Sequence, residues 1–327
     1  MQETPTVAAT DVLIAAALLE GTVRRTPLDR SDQLSTRAGA ELRLKLENLQ
    51  ITGSFKLRGA VNVLAQLPLA ERLAGVIAPT AGNHGLGLAH AGQALGVPVR
   101  ICLPRSADPS KVSMMQASGA LIDFFDDIEA ARQGALRLAK EERRSFVSAY
   151  DHRQMIAGGG TVGLEILQEW PDVEVILVPA GGGGLVAGIA TIARALNPSV
   201  EIWGVQSAAS PTFVRWKECG QTGPVEVATS IAEGVSGFIE PSTMTWPLVR
   251  DRVDRVLSVS ESEIRSAMTS MLEYERHVVE PSAVAAVAAC LRYAEDLRGR
   301  RTAVVVTGRN IAADRYLRLI NEGVTQS

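Results

Sequence analysis

The chain has 327 residues, of which 46% are apolar and 21% charged, and its net charge is −3. A chain of this size can bury a substantial core, and its nearly balanced charge does not favour nucleic acid or an anionic membrane surface as a partner. Its apolar runs stop well short of the about 20 residues that a membrane-spanning helix needs. We therefore expect a globular protein that neither crosses a membrane nor binds nucleic acid.

The three cysteines are Cys102, Cys219 and Cys290, and their wide spacing matches no paired-ligand motif. Buried thiols in a reducing compartment are the simplest interpretation, and the first residues lack the basic and apolar regions of a signal peptide. We therefore expect a cytoplasmic location.

Segments with the period of a strand alternate with segments of helical period along the chain. Predicted strands cover 41–46, 74–78, 97–103, 120–125, 145–149, 173–178, 201–205, 256–259 and 302–306. Predicted helices cover 11–19, 32–38, 55–64, 86–95, 109–118, 127–142, 161–170, 185–196, 261–275, 281–296 and 311–320. This alternation predicts an α/β fold, with parallel sheets covered by helices on both faces.

Lys56 lies just behind the turn formed by Gly53 and Ser54, in the first turn of a predicted helix. The positive end of the helix dipole disfavours a cation there, and burial has the same effect. A lysine in such a place loses its proton readily and can attack a carbonyl carbon as a free amine. A lone lysine is more often a solvated surface residue, so the case for Lys56 depends on other turns.

The glycine run from Gly181 to Gly184 follows a predicted strand and precedes a predicted helix, at the sheet edge where such folds bind ligands. Successive glycine N–H groups can point at one anion, and the helix beginning near Leu185 adds its positive end. We therefore predict a phosphate site. A dinucleotide turn is the alternative, but its fingerprint requires an acid at the end of the next strand, where this chain has Gln206.

Two further turns follow strands in the same way. In Thr80-Ala-Gly-Asn83, the backbone N–H groups and the Thr80 hydroxyl can bind a carboxylate, and the Asn83 amide can bond a phenol-like oxygen. In Thr307-Gly-Arg-Asn310, the hydroxyl can meet a ring nitrogen. Each turn alone could equally be an ordinary cap or Asx turn.

The chain resembles the threonine/serine dehydratases and serine racemases, which are fold-type II pyridoxal-phosphate enzymes, from about residue 22 to about residue 321. The resemblance rests on five motifs in the family's order: Ser54-Phe-Lys-Leu-Arg-Gly59, Thr80-Ala-Gly-Asn-His84, Gly181 to Leu185, Glu280-Pro-Ser282 and Thr307-Gly-Arg-Asn310. It implies a two-lobed fold similar to the tryptophan synthase β subunit and assembly as a dimer or tetramer, and we expect a homodimer built on the larger lobe. The large, cofactor-binding domain would comprise 1–52 and 150–327, and the small domain 53–149.

The resemblance also implies that pyridoxal 5'-phosphate is the cofactor and that Lys56 is the catalytic residue that carries it. The implied cofactor contacts are Lys56, Phe55, Asn83, Gly181, Gly182, Gly183, Gly184, Leu185, Glu280 and Thr307. The implied contacts of the substrate carboxylate are Thr80, Ala81, Gly82 and Asn83. The implied reaction is β-elimination from an amino acid such as L-threonine or L-serine, which yields a 2-oxo acid and ammonia.

Related activities remain open as alternatives: dehydration of 3-hydroxyaspartate, of phenylserine or of the diamino acid from hydroxyectoine, and racemisation of serine. We expect residues 233–242 to set side-chain specificity. Two alternatives belong to other classes of protein: a catalytically inactive binding protein and a nucleotide-binding oxidoreductase. Because the chain retains Lys56 and both glycine turns, an inactive binding protein is disfavoured.

Three positions depart from the family's pattern. Arg309 stands where the family usually has glycine, and its cation is either solvated or directed at an acidic substrate group. Gln206 and Thr212 stand where the family's divalent-cation site has acids, so we expect no metal. Ala81 stands where serine racemases have the serine that delivers a proton opposite the lysine, so we expect little racemisation.

Overall fold

The structure, a computed structural model, describes residues 6–80 and 82–324, with the backbone alone for 323 and 324. Within these residues the chain forms ten strands: β1 (Leu28–Arg30), β2 (Glu41–Leu46), β3 (Val76–Pro79), β4 (Val99–Pro104), β5 (Leu121–Phe125), β6 (Ser145–Phe146), β7 (Val175–Pro179), β8 (Glu201–Ser207), β9 (Arg255–Val259) and β10 (Arg301–Val306).

The strands form two sheets. The six-stranded sheet has the order β1-β2-β10-β7-β8-β9, in which only β1 pairs antiparallel with its neighbour. The four-stranded sheet has the order β5-β4-β3-β6 and is parallel throughout. The predicted α/β class with mainly parallel sheets is therefore confirmed.

Fifteen α-helices surround these sheets in the described part of the chain: α1 (Ala9–Leu19), α2 (Asp32–Ala38), α3 (Lys56–Ala65), α4 (Leu69–Ala74), α5 (Asn83–Leu95), α6 (Pro109–Ala117), α7 (Ile128–Glu141), α8 (Arg153–Glu169), α9 (Gly184–Leu196), α10 (Thr212–Cys219), α11 (Thr245–Arg252), α12 (Glu261–Glu275), α13 (Ala285–Arg292), α14 (Ala294–Leu297) and α15 (Ala313–Val324). No helix among the described residues is long and apolar enough to cross a bilayer.

The core lies on both faces of the larger sheet. In β7, Ile176 and Val178 belong to one apolar cluster, while Val175 and Leu177 belong to another on the opposite face. All four side chains are fully buried, which is why this strand reads as a continuous apolar run. The carboxyl ends of β3, β7 and β10 lead directly into the three turns around Thr80, Gly181 and Thr307.

The prediction that a helix begins at Thr161 was wrong, since α8 begins at Arg153. Gly158 and its two glycine neighbours lower intrinsic helix propensity, but they let α8 approach other helices closely. A Cβ on Gly158 would lie 2.7 Å from the Cα of Gly59 in α3, and one on Gly160 would lie 2.8 Å from a carbonyl oxygen of α9. Tertiary packing therefore overrides local propensity here.

Other predicted bounds also differ from the structure. The strand predicted over 145–149 ends at Phe146, and the helix predicted over 281–296 is a short 3-10 turn followed by α13 and α14. Two predicted strands begin too early. Helix α4 extends to Ala74, where the strand 74–78 was predicted to begin, and β4 begins at Val99 and not at residue 97. Residues 28–30, for which no strand is predicted, form an edge strand of the larger sheet.

Candidate active site

Lys56 is the first residue of α3. Its Nζ donates a hydrogen bond to the carbonyl oxygen of Ala149 at 2.7 Å and lies 5.1 Å from the centroid of the Phe55 ring. Burial lowers the pKa of Lys56 from its usual 10.5 to about 8, although the nearby Glu280 carboxylate opposes this shift. The amine is therefore poised to lose its proton near neutral pH, as the helix position predicts.

The turn before Lys56 is held by the turn after β10. The Phe55 N–H donates to the Thr307 carbonyl at 3.2 Å, and the Arg309 N–H donates to the Gly53 carbonyl at 2.9 Å. The Thr307 side chain is buried, whereas that of Arg309 is exposed. The two turns thus form one unit, and Arg309 contributes to it through its backbone.

Glu280 and Asn83 meet beside this unit, although 197 positions separate them in the chain. The Asn83 Nδ2 donates to Glu280 Oε1 at 2.5 Å, and the Asn83 Oδ1 accepts from Asn310 Nδ2 at 2.6 Å. Burial raises the pKa of Glu280 to about 7, while the positive charge of Lys111 and the bond from Asn83 oppose that rise. A Cβ on Gly308 would lie 2.0 Å from Glu280 Oε1, so this close approach requires glycine.

The glycine run forms the start of α9. Gly183 is in the left-handed region, with φ of 86°, and α9 begins at the next residue, so the unpaired N–H groups of the first helical turn face the open end of the sheet. A Cβ on Gly182 would lie 2.2 Å from the Tyr150 ring, and one on Gly183 would lie 2.9 Å from the Phe213 ring. Side chains at these positions would clash with the neighbouring aromatic rings, which accounts for glycine at both.

The turn after β3 lies at the start of α5, whose first residue is Asn83. The Gly82 N–H donates to the Thr80 hydroxyl oxygen at 3.1 Å, and the Thr80 N–H donates to the Cys102 carbonyl at 3.0 Å. Ala81 lies outside the described residues. The structure therefore brings Thr80, Gly82 and Asn83 to the same cleft as the other predicted residues.

Three buried polar atoms near Lys56 have no hydrogen-bond partner among the described residues. They are the Thr52 Oγ1, the Ser54 Oγ and the His84 Nδ1. The His84 Nε2 lies 3.1 Å from the Val147 carbonyl oxygen, and burial, followed by the charge of Lys56, lowers the pKa of His84 to about 3. The imidazole is therefore neutral, and a polar ligand in the cleft would compensate such unpaired atoms.

One cluster in the cleft was missed by the sequence analysis. The Tyr150 hydroxyl donates to the carboxylate of Glu240, which also pairs with Arg132 of α7, with Nη2 and Oε1 2.8 Å apart. The burial of Tyr150 and then its bond to Glu240 raise the pKa of the phenol. The only sequence signal was the position of Glu240 within the predicted specificity segment, 233–242.

Gln206, at the predicted position of a missing metal ligand, caps a helix. Its Oε1 accepts from the backbone N–H groups of Phe213 and Val214 in the first turn of α10, at 2.7 and 3.3 Å. Within residues 6–80 and 82–324, no group of three or more acidic, histidine or cysteine side chains is arranged to hold a metal ion. The absence of a metal requirement stays a prediction.

Residues 19–308 match the family described as pyridoxal-phosphate dependent enzymes, and the chain belongs to that family. It is similar to the L-threonine ammonia-lyase of Thermotoga maritima, with 39% identity over 97% of this chain and 79% of that protein. It is also similar to the L-threo-3-hydroxyaspartate ammonia-lyase of a Pseudomonas species, with 35% identity over 95% and 97%. Among solved structures, maize serine racemase superimposes with a TM-score of 0.91 at 30% identity, covering 98% of this chain and 99% of that one.

The predicted resemblance, the fold type and the cofactor are therefore confirmed: this is a pyridoxal-phosphate-dependent lyase. The described residues fit the cofactor. The cradle from Gly181 to Gly184 suits a phosphate, the Lys56 amine has a lowered pKa, and the buried polar atoms of Thr52, Ser54 and His84 named above have no partner among the described residues.

Proposed function

We propose that this enzyme removes water from a β-hydroxy amino acid such as L-threonine or L-serine, with a 2-oxo acid and ammonia as products. The observation that carries the proposal is the Lys56 amine, whose pKa falls to about 8, in one cleft with a glycine cradle and a free helix N-terminus. The names of the relatives support it, since they are ammonia-lyases and dehydratases of such amino acids.

The proposed roles follow from where the residues lie. The backbone N–H groups from Gly181 to Leu185 hold the cofactor phosphate. Phe55, Asn83, Glu280 and Thr307 would hold its ring. The bound cofactor supplies an electron sink for the charge that develops at the substrate Cα.

The substrate is oriented by the turn after β3. The N–H groups at the start of α5 and the Thr80 hydroxyl bind its carboxylate, together with Ala81, Gly82 and Asn83. With the cofactor bound, the Lys56 Nζ would take the α-proton as general base. The β-hydroxyl would leave as water, and the α-proton taken by Lys56 balances the proton that the hydroxyl gains. Hydrolysis of the resulting enamine by water gives the 2-oxo acid and ammonia.

We further propose that the protein is a cytoplasmic homodimer. All three cysteines are free, and two of them are buried, as expected in a reducing compartment. The exposed apolar side chains of Leu13 and Ile14 on α1 support the dimer.

The test is a substrate panel assayed for ammonia and 2-oxo acid release by the holoenzyme. It comprises L-threonine, L-serine, L-threo-3-hydroxyaspartate, phenylserine and the hydroxylated diamino acid. Release from L-threonine or L-serine supports the proposal, and failure with every member of the panel contradicts it.

Racemisation is the second candidate, favoured by the similarity to maize serine racemase. Chiral chromatography of the serine that remains after partial conversion of L-serine distinguishes racemisation from dehydration. We expect little D-serine, because the methyl group of Ala81 cannot deliver a proton. D-serine formed as fast as pyruvate would contradict an enzyme that is a dehydratase only, and Ala81→Ser should increase racemisation.

A further inference from the structure

Tyr150, Glu240 and Arg132, here called the Tyr150 cluster, form a wall of the cleft beside the reacting amine. Tyr150 directly follows Ala149, whose carbonyl oxygen holds the Lys56 Nζ at 2.7 Å. Its ring lies against Gly182, and its backbone lies against Gly184. Through Tyr150, the cluster therefore adjoins both the segment that holds the reacting amine and the glycine run.

The cluster is built from distant parts of the chain. Arg132 comes from α7, which packs on the smaller sheet, and Glu240 comes from the loop before α11, which packs on α9. The side chains of Arg132 and Glu240 are 38% and 27% exposed, so solvent screens their charges only partly. An added charge at this wall therefore interacts with them more than it would in bulk water.

The cluster has an excess of negative charge. Besides Glu240, the Asp151 carboxylate lies next to Tyr150 and accepts bonds from the Thr243 hydroxyl and the Met244 N–H, at 3.0 and 2.8 Å. Both carboxylates act on the Tyr150 phenol in the direction that raises its pKa. The single guanidinium of Arg132 is already paired with Glu240.

Resting on the proposed function, the geometry points to Glu240 as a residue that determines the substrate class. By occupying Arg132 and leaving the wall negative, Glu240 directs the enzyme toward β-hydroxy amino acids with uncharged or cationic side chains. It disfavours those with a second carboxylate. Without Glu240, the Arg132 guanidinium would be free to pair with such a carboxylate.

The physical reason is a like-charge penalty in a partly desolvated cleft. The substrate's α-carboxylate has its own site at the start of α5, so a side-chain carboxylate must lie elsewhere, near the reacting Cβ. At the Tyr150 cluster it would meet Glu240 and Asp151, and like charges brought together there cost more than they do in water.

The test compares kcat/KM for L-serine with kcat/KM for L-threo-3-hydroxyaspartate, using the holoenzyme and ammonia release for both. We expect a wild-type ratio above about tenfold in favour of L-serine, because like-charge contacts exceed the free energy of a tenfold rate change. Glu240→Gln should lower this ratio by about tenfold or more, since it removes a negative charge and frees Arg132.

Two further variants separate charge from structure. Arg132→Gln leaves Glu240 without its counter-charge and should raise the ratio, the opposite of the change expected for Glu240→Gln. Glu129→Gln is the matched control, because Glu129 also lies near Arg132, at 3.7 Å, but is 64% exposed. It should leave the ratio unchanged.

The outcomes are distinct. A wild-type enzyme that prefers L-threo-3-hydroxyaspartate, or ratios that move in the same direction in Glu240→Gln and Arg132→Gln, would overturn the inference while leaving the dehydratase in place. If Glu240→Gln does not fold, the wild-type ratio and Arg132→Gln still decide. No ammonia from any β-hydroxy amino acid would instead contradict the proposed function.

Discussion

Burial is the main cause of the low pKa of Lys56, and the negative charge of Glu280 raises that pKa in part. Burial disfavours the ammonium form, and the single bond to the Ala149 carbonyl does not fully replace the lost water. At the scale of single residues, reactivity at this site therefore depends on how the cleft excludes solvent.

Lys56→Ala should bind pyridoxal phosphate without a covalent link and lose turnover by several orders of magnitude, because both the attachment point and the general base are removed. Borohydride treatment followed by mass measurement checks the link, and ammonia release checks turnover. Lys140→Ala, which alters an exposed lysine of α7, should behave like wild type. Dehydratase activity near wild type in Lys56→Ala would overturn the assignment of this residue.

The rate at which cofactor-free enzyme captures pyridoxal phosphate should rise with pH and level off above about 8. Only the neutral amine attacks the aldehyde, and burial brings the neutral form to lower pH than in free lysine, whose pKa is 10.5. Stopped-flow absorbance across pH measures the midpoint.

Glu280→Gln provides the control for that titration. The Glu280 charge raises the pKa of Lys56, so its removal should move the midpoint to lower pH. A wild-type midpoint near that of free lysine would show that the amine is solvated rather than buried.

At the scale of elements, glycines set the distance between the helices that carry the site. α8 packs closely on both α3 and α9, and α9 begins in the glycine cradle while α3 begins at Lys56. A Cβ on Gly188 of α9 would lie 2.2 Å from the Ile156 carbonyl oxygen of α8. The backbones are in contact there, so neither helix can move aside cheaply.

Gly188→Ala should lower the free energy of unfolding by about 1–3 kcal/mol, because overpacking outweighs the gain in helix propensity. Gly159→Ala in the neighbouring helix is the matched control. Its Cβ would lie 3.5 Å from the nearest atom, an ordinary contact, so it should be neutral or slightly stabilising. Urea unfolding measures both variants, and equal midpoints for the two would contradict the packing argument.

At the scale of the whole molecule, helix α1 has apolar side chains both on the face that packs on the core and on the face exposed to solvent. Val12, Ala15 and Leu19 are buried against the core, whereas Leu13 and Ile14 remain exposed. A helix that is apolar all round is normally covered on every side, and symmetric pairing of identical chains is the commonest way to cover it. This outward face of α1 is the basis for the proposed dimer.

Ile14→Glu should convert the dimer to monomer at micromolar concentration, because the substitution places a charge in an apolar interface. Sedimentation velocity measures the mass. Leu73→Glu is the control, since Leu73 is an exposed leucine of α4, in the predicted small domain. A wild-type monomer, or a dimer that survives Ile14→Glu and dissociates in Leu73→Glu, would contradict the proposed interface.

Local chemistry made much of the site predictable. Lys56 at a helix start, the glycine cradle and the turns at Thr80 and Thr307 each depend on a few consecutive residues, and strand and turn signals act over that range. Alternating periodicity likewise predicted the α/β class, because a parallel sheet buries both of its faces.

Only the tertiary structure decided the rest. Glu240 meets Tyr150 across 90 positions and Glu280 meets Asn83 across 197, and no local pattern encodes such pairs. The first turns of α8 form because their glycines face other backbones, against their own propensity. The pKa values of Lys56 and Glu280 also depend on desolvation, which exists only once distant segments close around these groups and exclude water.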